Sequence, residues 1–339
     1  MNYIVLDLEW NQSPAGRNHR NEGIPFEIVQ IGAVKLDKQL QRIDTFGQNI
    51  QPQVYPTFHS KVAELLDVTM EELKATGKPF PEVISEFLAW CGKDCIFCTW
   101  GTLDLTELQK NMQYYQIERP FPMPFLYYDL QKLYSIQYSD GKTRITLQKA
   151  IEERKLASDK EYHMALNDAI YTADVMATLD MGQVGRFYSV DTFRIPQTRK
   201  EEIYLDFGDY AKYISKGFDT KEKATEYREV RSCKCFLCNK SMKKHIKWFA
   251  TNGKSYYGLF SCEQHGLIKG RFKARQADNG LYYVTKILKR TDEEGAAKIK
   301  RKQEKEREHR KLKAQQAMLA KRTGADLDVS KLKKKYQKH

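Results

Sequence analysis

Short apolar runs of strand length alternate with longer segments of helical periodicity through the first 180 residues. Tyr3 to Leu8, Ile28 to Leu36 and Phe46 to Ile50 have the length and composition of strands, and helical stretches follow near Val62 to Lys74 and Phe80 to Trp90. A strand around Ile96 to Trp100, a helix from Asp104 to Tyr115 and a short strand from Phe125 to Tyr128 come next. Helices near Leu130 to Ile136, Thr146 to Glu153 and Ala165 to Leu179 close the series. Three early strands and later alternation predict a layered α/β domain with a mixed sheet over residues 1–185. From 186 to 229 the pattern loses its period and Pro196 interrupts any helix, which predicts a connecting segment. Between 230 and 290 the pattern turns to hairpins. Trp248 to Thr251 and Ser255 to Phe260 flank Asn252-Gly253, and Gly270 to Gln276 meets Leu281 to Lys289 through Asp278-Asn279-Gly280. A small β-rich domain is the expectation there. Residues 291–339, rich in Lys, Glu, Gln and Arg, form either a solvated helix or a disordered tail.

Charge divides the chain in the same places. The net charge is +13, yet residues 1–226 hold 26 Lys and Arg against 33 Asp and Glu, residues 227–290 hold 15 against 3, and residues 291–339 hold 16 against 8. An acidic unit joined to a basic one is the pattern of a catalytic domain attached to a polyanion-binding module, with a membrane surface as the weaker alternative. Seven cysteines and no secretory lead-in argue against a disulfide framework. Cys91, Cys95 and Cys98 lie in an apolar stretch and read as ordinary buried residues. No segment approaches the roughly 18 apolar residues of a membrane span, and a soluble, cytoplasmic protein is the expectation.

The candidate chemistry begins in the first strand. Side chains alternate between faces, so Asp7 and Glu9 point the same way, roughly 6.5–7 Å apart, while Leu6 and Leu8 point the other way. Asp104 follows the Ile96 to Trp100 strand at the start of a helix, and His163 and Asp168 bracket the entry to another. Each has an ordinary structural reading: an Asp at a strand end, a helix cap, a loop histidine. Their order and surroundings, however, resemble the DEDDh exonucleases of the DnaQ-like superfamily, which have an RNase H-like sheet. The likeness covers about residues 1–180. Asp7 and Glu9 in LDLEW match the first motif, Asp104 in TWGTLDL the second, and His163 with Asp168 in HMALNDA the third. EIVQIGAV and ELLDVTMEEL also fit their places in that family. The flavour is similar to the small-RNA and histone-messenger exonucleases and to the sporulation-inhibitor type. One departure is Trp10, which follows Glu9 where many relatives carry a small or hydroxyl residue.

The resemblance implies a 3′-to-5′ exonuclease that releases nucleoside 5′-monophosphates from single-stranded RNA or DNA with a free 3′ end. It implies two Mg²⁺ or Mn²⁺ ions, with Asp7 bridging, Glu9 and Asp168 completing the nucleophile side, Asp104 serving the second ion and His163 accepting the proton of water. Hard oxygen donors suit such ions. His19, His59 and His309 read as surface residues. Two rivals stand beside an RNA-trimming enzyme: a DNA repair or proofreading exonuclease, and a non-catalytic RNA-binding adaptor on a nuclease fold.

In the basic third, Cys235, Cys238, Cys262 and His265 form a C-x2-C-x23-C-x2-H array that suits a closed, structural tetrahedral zinc site, with Cys233 and His245 as substitutes for the fourth ligand. On the strand after it, Arg271, Lys273 and Arg275 face one way and Phe272 and Ala274 the other, with Tyr282 and Tyr283 across the turn. Cations for phosphates beside aromatics for base stacking suit single-stranded nucleic acid. An apolar inner face with a solvated outer one is the equal alternative.

Overall fold

The computed structural model describes residues 1–16, 21–159, 161–251 and 253–323, so His19, Asn252 and the last 16 positions lie outside the described residues. The chain divides into two compact units, Met1–Arg194 and Ile195–His339.

The first unit is built on β1 (Asn2–Gln12), β2 (Phe26–Leu36) and β3 (Arg42–Asn49), an antiparallel meander. Then come α1 (Ser60–Ala63), α2 (Met70–Thr76), α3 (Phe80–Cys91), β4 (Cys95–Thr99), α4 (Leu103–Tyr114), β5 (Leu126–Asp129), α5 (Leu130–Tyr138), α6 (Leu147–Arg154), α7 (Ala165–Ala177), α8 (Met181–Val184) and β6 (Ser189–Val190). Strand order is β3-β2-β1-β4-β5-β6, with β4 and β5 parallel to β1. The alternation of β1 sorts its side chains between two cores. Ile4, Leu6 and Leu8 pack with Phe80, Phe87, Leu105 and Leu108 on one side, and Val5 packs with Leu130, Leu133, Ala169 and Ala173 on the other. Each fully buried side chain of this size contributes about 1.5–3 kcal/mol. The stretch Val62 to Lys74, read as one helix, is two. Thr69 starts afresh with a capping box: its Oγ1 accepts from Glu72 N–H, while Glu72 Oε2 accepts from Thr69 N–H at 2.7 Å.

The second unit holds β7 (Ile203–Asp206), β8 (Tyr210–Ile214), α9 (Lys221–Glu226), α10 (Arg228–Arg231), β9 (Lys243–Ala250), β10 (Ser255–Cys262), β11 (Gly266–Gln276), β12 (Tyr282–Arg290) and α11 (Glu293–Thr323). Its six strands form an antiparallel sheet in the order β7-β8-β12-β11-β10-β9. Residues 186–229, read as a connecting segment, therefore contain β6 of the first sheet and β7 and β8 of the second. β8 pairs with β12 from Tyr210↔Lys289 to Ile214↔Thr285, a partner far along the chain. The solvated tail is a helix over its first part, anchored by Ala296 and Ile299 against Ile246 and Leu259. No helix among the described residues is long and apolar enough to cross a membrane.

Candidate active site and thiol cluster

Asp7 lies on the Val5 face of β1, in the row Asp7–Gly32–Gly47 that crosses β1, β2 and β3. The first turn of α7 rests on this row. A Cβ on Gly32 would stand 2.0 Å from the backbone carbon of Ala165, and one on Gly47 would stand 2.9 Å from the Leu166 side chain. Only a bare backbone at position 32 lets α7 come this close to the strands. Gln30 fixes the same turn: its Oε1 accepts from Ala165 N–H at 3.4 Å and its Nε2 donates to Asn49 at 3.0 Å. The cap residue Met164 has no side-chain acceptor, so Gln30 supplies one from the neighbouring strand.

This placement brings Asp168, on the first turn of α7, to Glu9. One donor atom from each of Glu9, His163 and Asp168 lies within 4.8 Å of the others. His163 sits on the lead-in with φ +65°, and its backbone N–H donates to Asp168 Oδ2 at 3.0 Å. Asp168 Oδ1 is buried and has no hydrogen-bond partner. Asp104 is buried at the start of α4, held there by the N–H of Leu8. It does not cap the helix, for Thr102 occupies that position.

The four carboxylates sense one another. Burial first, then Asp104, Glu9 and Asp168, hold Asp7 well above the usual carboxylate range. Burial with Asp168 and Asp104 pushes Glu9 up to about 8. Burial raises Asp104 to about 7 against the N–H groups that bond it, and raises Asp168 against the N–H and charge of His163. Such a set is short of positive charge, and a buried carboxylate oxygen without a hydrogen-bond partner in one of its members is what a hard divalent cation would ligate. Trp10 turns away from this chemistry and packs near Phe26, ring centroids 6.0 Å apart, beyond a bulge between Glu9 and Trp10. His59 caps α1, accepting from Lys61 N–H at 3.3 Å, and His309 is exposed on α11.

Gly32, Gly47 and Gln30 carry no chemistry, and motif reading passed over them. A glycine inside the apolar run of β2 was the one available signal.

In the second unit, the β9–β10 hairpin sets the Cys235–Cys238 turn beside the end of β10, where Cys262 and His265 flank the turn into β11. All four donor atoms lie within 4.8 Å of one another. Cys238 and Cys262 sulfurs are 3.6 Å apart, and His265 Nδ1 is 3.6 Å from Cys235 and 3.5 Å from Cys262. A zinc tetrahedron with ordinary bond lengths has edges of about 3.8 Å between sulfurs and about 3.6 Å from sulfur to nitrogen. Cys233 instead donates to Arg231 O, and His245 bonds Ser261, so neither joins the cluster. None of the seven cysteines is in a disulfide.

On β11, Phe272 and Ala274 are buried, Arg271 and Arg275 exposed and Lys273 half-buried. Tyr283, expected to be open for base stacking, is 4 % exposed and closed to it.

The model of an exonuclease family, RNase_T, matches residues 4–176. Among solved structures, the chain is similar to the nuclease domain of 3′hExo, a DEDDh family member bound to rAMP, at 19% identity over 56% of this chain and 96% of that one, TM-score 0.46. It is also similar to cell-death related nuclease 4 (CRN-4), at 19% identity over 59% of this chain and 73% of that one, TM-score 0.45. No curated protein matches it.

Proposed function

Since the chain belongs to the RNase_T exonuclease family and is by its DEDDh set a 3′-to-5′ exonuclease, we propose that it trims single-stranded RNA in the cytoplasm to nucleoside 5′-monophosphates by a two-ion mechanism using Mg²⁺ or Mn²⁺. The observation that carries this reading is the unpartnered Asp168 Oδ1 within a set of four mutually repelling carboxylates. When bound, the ions lower the pKa of a water and offset the charge that builds on the leaving oxygen. Asp7, Glu9, Asp104 and Asp168 would hold the ions: by the sequence resemblance Asp7 would serve both, Glu9 and Asp168, which lie together with His163, the nucleophile side, and Asp104 the other. His163, beside Glu9 and Asp168, takes the proton from water. Cys235, Cys238, Cys262 and His265 hold a structural zinc, supported by the match between their spacing and a tetrahedron. The preference for RNA rests on the sequence resemblance to the small-RNA and histone-messenger exonucleases.

Digestion of 5′-labelled single-stranded RNA and matched DNA with Mg²⁺ or Mn²⁺ tests this. A ladder shortening from the 3′ end, faster on RNA and lost in Asp7→Ala, is expected. Faster loss of DNA would move the enzyme to repair or proofreading, and binding without shortening would leave an adaptor.

A further inference from the structure

The two faces of the second sheet differ in kind. Cross-strand partners in an antiparallel sheet share a face, so Tyr257, Arg271, Ile287 and Lys212 form one row across β10, β11, β12 and β8. Lys273 and Thr285 form the next row, and Arg275 lies beyond it. The opposite face carries Phe272, Val284 and Ala274 and is closed by the packing of α9 and α10 residues such as Ala224 and Val230. Its one central cation, Lys286, is satisfied there, since Nζ donates to the carbonyls of Glu229 and Ser232 at 3.0 and 2.7 Å.

The cations of the first face have no such arrangement. Arg271, Lys273 and Arg275 stand about 6.7 Å apart along the strand. The groups acting on Lys273 are Arg271 first, then burial, Arg275 and Tyr257; all but Tyr257 lower its pKa. Lys212 is pushed down to about 8 by burial and by Arg275. Among the described residues no carboxylate figures in the influences on either. At the border of the face, α11 brings Lys302 to 4.5 Å from the centre of the Tyr257 ring, while Arg271 lies 5.8 Å from it. Arg310 fastens the helix further along, donating to Ala250 O at 3.0 Å. Folding thus gathers like charges on one face, exposed at Arg271 and Arg275, half-buried at Lys273 and largely closed at Lys212, an arrangement that a polyanion stabilises.

We propose that this face, formed by Arg271, Lys273, Arg275 and Lys302 around Tyr257, with the largely buried Lys212 adding its charge, is a docking surface for the phosphodiester backbone of single-stranded nucleic acid. A single row of cations at strand spacing suits one extended backbone. The Tyr257 ring is within cation–π reach of both Arg271 and Lys302. Lys212, on β8, lies in the Arg271 row across Ile287 and adds to the charge of the face from a largely buried position. The class of polyanion rests on the exonuclease reading; the anion-binding face itself does not.

The test is fluorescence anisotropy of a labelled oligouridylate with the full chain, silenced by Asp104→Asn and titrated at several salt concentrations. Replacing Arg271, Lys273 and Arg275 by Gln should weaken binding about tenfold or more and reduce the salt slope by about 2, each single-strand phosphate contact being worth about 0.7. Arg271→Lys with Arg275→Lys keeps the charges and should bind within about threefold of the parent. Thermal melts of all three proteins separate loss of charge from loss of fold. Unchanged affinity and slope in the Gln variant would overturn the proposal. So would binding to phosphatidylserine vesicles that falls with the Gln substitutions while oligouridylate binding does not. Because binding is read in a cleavage-silenced chain, a negative result leaves the exonuclease reading standing, and a failed digestion leaves this readout intact.

Discussion

Gly32→Ala changes no reactive group, yet it should disable the enzyme. The added Cβ would meet Ala165 C at 2.0 Å, Leu166 N at 2.1 Å and Ala165 O at 2.2 Å, against about 3.4 Å for ordinary contact. All three atoms are backbone, so no rotamer change relieves the overlap, and the start of α7 must retreat by more than about 1 Å. Asp168 sits on that turn and would be carried away from Glu9 and Asp7. A misplacement of this size costs on the order of 10²-fold in rate, and overpacking costs about 1–3 kcal/mol in stability. Gly47→Ala is the control, because its Cβ would meet only the Leu166 side-chain end at 2.9 Å, which can turn aside. Single-turnover hydrolysis of 5′-labelled RNA at saturating Mn²⁺, with thermal melts of each variant, measures both effects. Activity of Gly32→Ala within about threefold of wild type, or an equal loss in Gly47→Ala, would refute the reasoning.

Asp7→Asn should lower hydrolysis by on the order of 10³-fold while raising the melting temperature of the cation-free protein, because folding then no longer has to neutralise a carboxylate whose charged form burial first, and three other carboxylates after it, disfavour; a lower melting temperature would count against that cost. His163→Ala should lose on the order of 10²–10⁴-fold in rate with RNA binding retained; a rate within about threefold of wild type would remove His163 from proton transfer. Glu9 and Asp104 hold protons up to about 8 and about 7 when folded, against about 4 for an unfolded carboxylate. Between those values the folded state binds more protons, so cation-free stability falls as pH rises through this window. Added Mg²⁺ should therefore raise the melting temperature more at pH 8 than at pH 6, and an equal rise at both would contradict the assignment. Cys262→Ser should abolish stoichiometric zinc, read by metal analysis, and lower the melting of the second unit; full zinc retention would exclude this ligand set.

The RNase H-like sheet was legible because β1, β2 and the α7 segment carry their own patterns: an apolar run ending in Asp7 and Glu9, and a helix whose Ala169 and Ala173 face inward. The thiol cluster was legible because spacing constrains it. β7 and β8 were missed although Ile203–Asp206 and Tyr210–Ile214 flank Gly208 at φ +78°, a hairpin signal in itself. Their half-polar sequences gain meaning only from β12, which β8 meets across the whole basic unit while β7 pairs on the far side of β8. The split between α1 and α2 was readable from Thr69-x-x-Glu72, a capping box inside a stretch that periodicity alone ran together.

Gly32 and Gln30 belong to a different category. Motif reading finds groups that react, and it has no purchase on a residue whose contribution is to be small or to hold another element's N–H. Both act on Ala165, at the far end of the domain sequence, so their meaning exists only once α7 lies across β2. This bears on the choice between enzyme and adaptor. The five motif residues could all persist in a chain that no longer cuts, provided position 32 had gained a side chain and α7 had moved off. Here position 32 is bare, the turn is pinned by Gln30, and Asp168 Oδ1 is buried without a hydrogen-bond partner. Close approach of backbone to backbone, sustained at the expense of carboxylate repulsion, is difficult to account for in a surface used only for docking, and it is what a hydrolytic site requires.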